Sequence, residues 1–239
     1  MGTFASQVSG VAALAEPVRR DLYLYVVGQA QPVSRDQAAA GVGVAPHTAK
    51  FHLERLADEG LLDVEYRRLS GKQGPGAGRP TKLYRRSERE VAVSLPPREY
   101  DLAATVMASA IEASVRDGTP LPDALKECAL AAGRALASPG DAPRQDAPLE
   151  AVCGVLAEHG YEPRTEPDDE SGERVVMANC PFHALSRTHT ELVCGLNSDL
   201  IAGLTERLGG GVVTARLEPA PGRCCVVLRA QEPGEPPAA

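Results

Sequence analysis

Two short runs with strand character, Leu61–Tyr66 and Lys82–Tyr84, bracket a glycine- and proline-rich stretch that holds no acidic residue. Turn-forming residues between strand-like runs predict a hairpin whose tip is the basic centre, not a free tail. From Tyr66 to Arg86 (YRRLSGKQGPGAGRPTKLYRR) there are seven Lys and Arg residues, a charge of +7 in a chain whose formal net charge is −7, so the rest carries −14. Charge segregated in this way predicts a polyanionic partner engaged at one place on the molecule.

The residues before the hairpin read as three helices. Glu16 to Gln29 repeats apolar residues at helical spacing, with Val18, Leu22, Tyr25 and Val26 on one face. Ser34 with Gln37 three residues later is the capping-box pattern, and it opens a short helix expected to stop at Gly41. The turn Gly41-Val42-Gly43-Val44 then leads to Pro46, suited to a first helical position, and to a helix ending at Gly60. Helix, tight turn, helix, hairpin is the order of a winged helix-turn-helix.

In that arrangement the helix from Pro46 is the recognition helix. Phe51, Leu53, Leu56 and Leu62 are expected to pack inward, while His47, Thr48, Lys50 and His52 face outward, within reach of major-groove edges and phosphates. His47 and Thr48 serve equally well as capping and turn residues. Arg67, Arg68, Lys72, Arg79 and Lys82 of the hairpin complete the candidate DNA contacts, with Gly78-Arg79-Pro80 shaped for a narrow minor groove. Six Tyr, three Phe and no Trp give little to stack on single-stranded nucleic acid, so the expected partner is a double-stranded DNA operator.

At 239 residues and 43% hydrophobic content the chain can bury more than one core. No stretch has the roughly twenty apolar residues of a membrane helix and the first residues do not read as an export signal, so no membrane partner and a cytoplasmic location are expected. The predicted fold class is α+β. It comprises a winged helix-turn-helix over 1–95, a helical dimerisation region over 96–138, a linker over 139–148, a small α+β sensor domain over 149–230 and a disordered tail over 231–239. The helical region is rich in small residues (YDLAATVMASAIEASV, then a helix to Ala137 capped by Thr119 or Asp123), which lets another helix approach closely, in a homodimer or within one subunit.

Six cysteines without an export signal favour thiol or metal chemistry over a disulfide framework. Cys180-Pro181-Phe182-His183 is a turn that lets Cys180 and His183 bend back on one cation. Cys194 lies in the following helix, and Cys224-Cys225 opens the final strand. Three elements thus bring a thiol to one small domain. Adjacent strand residues face opposite ways, so one of Cys224 and Cys225 is expected to be a ligand and the other core. The candidate metal ligands are Cys180, His183, Cys194 and Cys224, with His189 or Cys225 as alternatives for the fourth position. Cys128 and Cys153 read as packed thiols, and His159 as a residue at a helix C-terminus. No Gly-rich phosphate loop, HExxH helix or Gly-x-Ser-x-Gly elbow accompanies these residues, so no enzyme is expected.

The winged helix with GAGRPTKLY in its hairpin, followed by an alanine-rich helical region and then NCPFHAL, LVCGLN and PGRCCV, resembles the SufR-like branch of the ArsR superfamily, iron-sulfur repressors of cluster-assembly genes. The resemblance implies a dimeric transcriptional repressor whose C-terminal cysteines hold an iron-sulfur cluster. Carried over, the ligand cysteines fall on Cys180, Cys194 and Cys224 or Cys225. Zinc is the alternative cofactor, because thiolate and imidazole both suit it.

Overall fold

The computed structural model describes residues 4–68, 80–138, 147–168 and 172–230. Lys72, Arg79, the hairpin tip, most of the expected linker and the tail 231–239 lie outside the described residues. The fold is α+β and divides into two compact units, Met1–Val93 and Ser94–Ala239.

The first unit runs α1 (Phe4–Ala13), α2 (Pro17–Val27), β1 (Val33–Ser34), α3 (Arg35–Val42), α4 (Pro46–Asp58), β2 (Leu62–Arg67) and β3 (Thr81–Arg86). Its antiparallel sheet has the order β1-β3-β2, with Glu65 opposite Leu83 and Val33 opposite Tyr84. Local chemistry sets the helix boundaries. Ser34 Oγ accepts from the Gln37 N–H while Gln37 Oε1 accepts from the Ser34 N–H, the reciprocal pair that the sequence predicts. The helix does not stop at Gly41. It continues to Val42 and is closed by Gly43 in the left-handed region at φ 77°. Position 41 is held by glycine for a packing reason instead, since a Cβ there would collide with the Tyr25 ring. Leu22, Val26, Ala38, Ala49, Leu53, Leu56, Leu62 and Tyr84 form the core of this unit.

The second unit runs α5 (Tyr100–Asp117), α6 (Leu121–Leu136), α7 (Pro148–Glu158), β4 (Pro163–Asp168), β5 (Gly172–Met177), α8 (His183–Thr188), α9 (Thr190–Leu208), β6 (Val213–Leu217) and β7 (Val226–Ala230). Its sheet is antiparallel, in the order β4-β5-β7-β6. Helix α9 is buried at Val193, Leu196, Leu200, Ile201, Leu204 and Leu208 because it packs against α6 as well as β6 and β7. The helices of 96–138 and the elements from 148 onward therefore share one core, which runs from Ala103 and Val106 to Val226 and Leu228. At least part of the small-residue content of α6 is used inside the chain, where Gly133 faces the Leu200 backbone and Gly203 of α9 faces the Leu130 backbone. Neither Thr119 nor Asp123 caps α6. Its N-cap is Pro120, and the Thr119 carbonyl accepts from Ser114 Oγ instead.

Candidate functional site

Helix α4 buries Ala49, Leu53 and Leu56 and turns its other side outward. His47 and Lys50 are exposed as expected and Thr48 is half-buried. Two expectations are corrected. Phe51 does not pack inward: it is 64% exposed. At 100° per residue it lies about 200° around the helix from both Ala49 and Leu53, on the far side from the core. His52 does not face outward: its side chain is 11% exposed, accepts from Arg19 Nε at 3.4 Å and lies 3.5 Å from Glu16 Oε2. It sits only about 40° from Leu56 on the helical wheel, so its imidazole turns toward α2.

Beside α4, a cleft of about 390 Å³ is lined by Arg35, Asp36, Lys50, Glu54, Lys82 and Tyr84, among others. Glu54 stands between two lysines, 4.0 Å from Lys50 Nζ and 3.8 Å from Lys82 Nζ. Lys82 also lies over the Tyr84 ring, 5.3 Å from its centroid. Arg67 pairs with Glu65 at 2.7 Å, and Arg68, next to it, is exposed. Because Glu54 engages both lysines, Glu54→Gln is expected to raise affinity for random duplex DNA and to steepen its salt dependence. The slope of log K against log salt should become more negative by about 0.9 for each phosphate newly neutralised. An unchanged slope would remove both lysines from the phosphate contacts.

The thiols come together in the second unit. β5 and β7 are hydrogen-bonded neighbours, and the Cys224 N–H donates to the Met177 carbonyl at 2.9 Å, so the residues before β7 meet the residues after β5. Cys224 and Cys180 are thereby in side-chain hydrogen-bond contact. From α9, Cys194 Sγ lies 2.9 Å from Cys225 Sγ, and Asn197, one turn on, donates from Nδ2 to Cys224 Sγ at 3.2 Å. The strand-alternation argument for a single ligand at 224–225 does not apply. β7 begins at Val226, both cysteines precede it, and each thiol meets a cysteine from another element.

His183 and His189 are exposed at the two ends of α8. It is Cys225 that meets Cys194 and Cys224 that meets Cys180. Cys153 is packed against the core, and burial pushes its thiol up to about 11.

Cys180, Cys194 and Cys224 are electrostatically unequal. The hydrogen bond from Cys224, helped by the Phe182 N–H, Ser186 and the Arg98 charge, brings Cys180 down to about 7 against the opposing effect of burial. The same hydrogen bond, then burial, pushes Cys224 far up. Burial and the contact with Cys225 push Cys194 up to about 12. Among the described residues no three His, Cys, Asp or Glu side chains already surround one point as a metal cage. The thiols stand as two pairs joined through neighbouring residues. As donors they suit a soft metal or an iron-sulfur centre.

Sequence reasoning missed the residues that hold this centre in place. Arg98 Nη1 donates to Asn179 Oδ1 at 2.6 Å and to the Cys180 carbonyl at 3.1 Å, and Asn179 Nδ2 donates to the Gly160 carbonyl at 2.6 Å. Phe182 packs edge-on to Tyr161, whose hydroxyl donates to Asn197 Oδ1 at 2.5 Å. Asn197 could have been found as the residue one turn beyond Cys194. Arg98 is 82 residues from Cys180 and carries no local signal. Tyr161 and Asn197 are both buried, so Asn197→Ala leaves a hydroxyl and a thiol without their partner. A loss of about 1–3 kcal/mol in the urea unfolding free energy is expected. An unchanged urea midpoint would mean that the network adds nothing to stability.

Residues 14–65 match the family model described as a helix-turn-helix domain, a span that runs from just before α2 into β2. The first unit is thus a DNA-binding module of the kind found in winged-helix transcriptional regulators. No curated protein and no solved structure matches the chain. Among the described residues no helix is long and apolar enough to cross a membrane.

Proposed function

We propose that the chain is a cytoplasmic, homodimeric transcriptional repressor whose hold on a double-stranded operator is governed by an iron-sulfur cluster at Cys180, Cys194 and Cys224, with Cys225 in the fourth position. One observation carries this reading. Four cysteines from three stretches of chain converge, with Cys194 and Cys225 at 2.9 Å and Cys224 hydrogen-bonded to Cys180. All four are free thiols, Cys194 and Cys224 buried and Cys180 and Cys225 half-buried, and their convergence from three stretches, not their burial, is what sets them apart from packed cysteines such as Cys153.

A bound cluster supplies sensitivity to oxidants, nitric oxide and iron supply. The protein's part is to hold and couple. Asn197 directs an N–H at Cys224, Arg98 and Asn179 fix the backbone that carries Cys180, and α9 links the thiols to α6 and its neighbour α5. Operator affinity changes only if the loaded and empty forms differ in their fit to DNA, which a dimer achieves by altering the spacing of two winged helices. Protein purified without oxygen is expected to contain iron and sulfide and to absorb visible light. Stoichiometric zinc with neither iron nor sulfide would overturn the cluster and leave a four-thiol structural zinc site.

A further inference from the structure

The outward face of α4 carries its main apolar surface at one side chain. His47, Lys50, Phe51 and Arg55 are exposed there, but the cations already have partners, Lys50 in Glu54 and Arg55 in Glu59. Among the described residues Phe51 makes one ring contact, an edge contact with the adjacent His52 at 5.2 Å between centroids, and it remains 64% exposed. An aromatic ring left in water amid charged residues gains when a partner covers it with apolar surface. Within the helix-turn-helix span α4 follows α3 across the Gly43 turn, the place of a recognition helix, and in the major groove the apolar feature on offer is the 5-methyl group of thymine. Its position in the second turn of α4 puts Phe51 in the half of the helix that approaches base edges.

We propose that Phe51 reads thymine: each operator half-site holds a thymine whose 5-methyl group packs against the Phe51 ring. The inference rests on the DNA-binding role of the first unit and is independent of the thiol centre. Phe51 thereby supplies part of the choice of sequence, which phosphate contacts cannot.

The test uses the full-length protein. Duplexes are selected from a random library, and each recurrent thymine is then replaced singly by deoxyuridine, which removes the methyl group and nothing else. Wild-type binding is expected to weaken about four-fold at one thymine per half-site, the loss set by one buried methyl. Phe51→Ala is expected to bind more weakly but equally to the thymine and uracil duplexes, and Phe51→Leu to keep most of the discrimination. Because Phe51 is exposed, Phe51→Ala should fold, which its circular dichroism and thermal melt verify. Indifference of the wild type to uracil at every selected position would overturn the proposal, as would equal discrimination by Phe51→Ala. A Phe51→Ala protein with altered oligomeric state and unaltered discrimination would assign the ring to a protein contact and overturn it too. Failure to bind any duplex would instead overturn the DNA-binding reading itself.

Discussion

Gly133→Ala is expected to destabilise the second unit by about 3 kcal/mol, the opposite sign to what helix propensity alone dictates. In an unconstrained helix, alanine is favoured over glycine by about 1 kcal/mol. At position 133 that gain is overwhelmed, because the new Cβ would fall on the Leu200 carbonyl, a backbone atom of α9 that cannot swing aside. Moving α6 away from α9 would open the contacts of Ala129, Leu196, Leu200 and Leu204, which are buried together in the core. Gly195 is the control. It lies in α9, the facing helix, but a Cβ there meets nothing within 4 Å, so Gly195→Ala is expected to stabilise by up to about 1 kcal/mol. Urea unfolding of the two variants decides the matter, and equal shifts of the same sign would refute the close crossing.

Cys224→Ser is expected to abolish iron and sulfide retention in protein prepared without oxygen, because Cys224 is hydrogen-bonded to Cys180 and receives the Asn197 N–H, and serine oxygen is a poor substitute for a soft sulfur donor. The first unit has its own core around Leu22, Leu53 and Leu56, so the variant should still bind duplex DNA while losing its response to oxidants. Cys153→Ser and His183→Ala are the contrasting changes. Cys153 is a thiol packed against the core and His183 is exposed, so both variants should retain iron and sulfide. Retention of the cluster by Cys224→Ser would remove that residue from the ligand set, and its loss in His183→Ala would return the fourth position to the histidine.

What could be read from the residues alone follows physical range. The α3 capping box was legible because Ser34 and Gln37 satisfy each other within one turn. The phase of α4 was misjudged by taking apolarity as the guide: Phe51 looks like a core residue, but the stripe of Ala49, Leu53 and Leu56 leaves it outside and draws His52 in. β4 escaped notice because Pro163 and Pro167 interrupt its pattern, which an edge strand tolerates. The closeness allowed by Gly133 and Gly203 was visible in composition, but the identity of the facing helix is a tertiary fact. At the thiols, residue types and elements were legible. The assignment of Cys224 and Cys225 was not, because it depends on a strand that begins only after both of them, at Val226.

If the thiol centre governs DNA binding, Kd for one selected duplex at one fixed salt concentration must differ before and after the cluster is removed from a single anaerobic preparation. A change on the order of tenfold or more between the two forms, absent in Cys224→Ser, is the predicted result. Equal Kd values for protein with and without iron and sulfide would mean that the thiol centre does not control DNA binding.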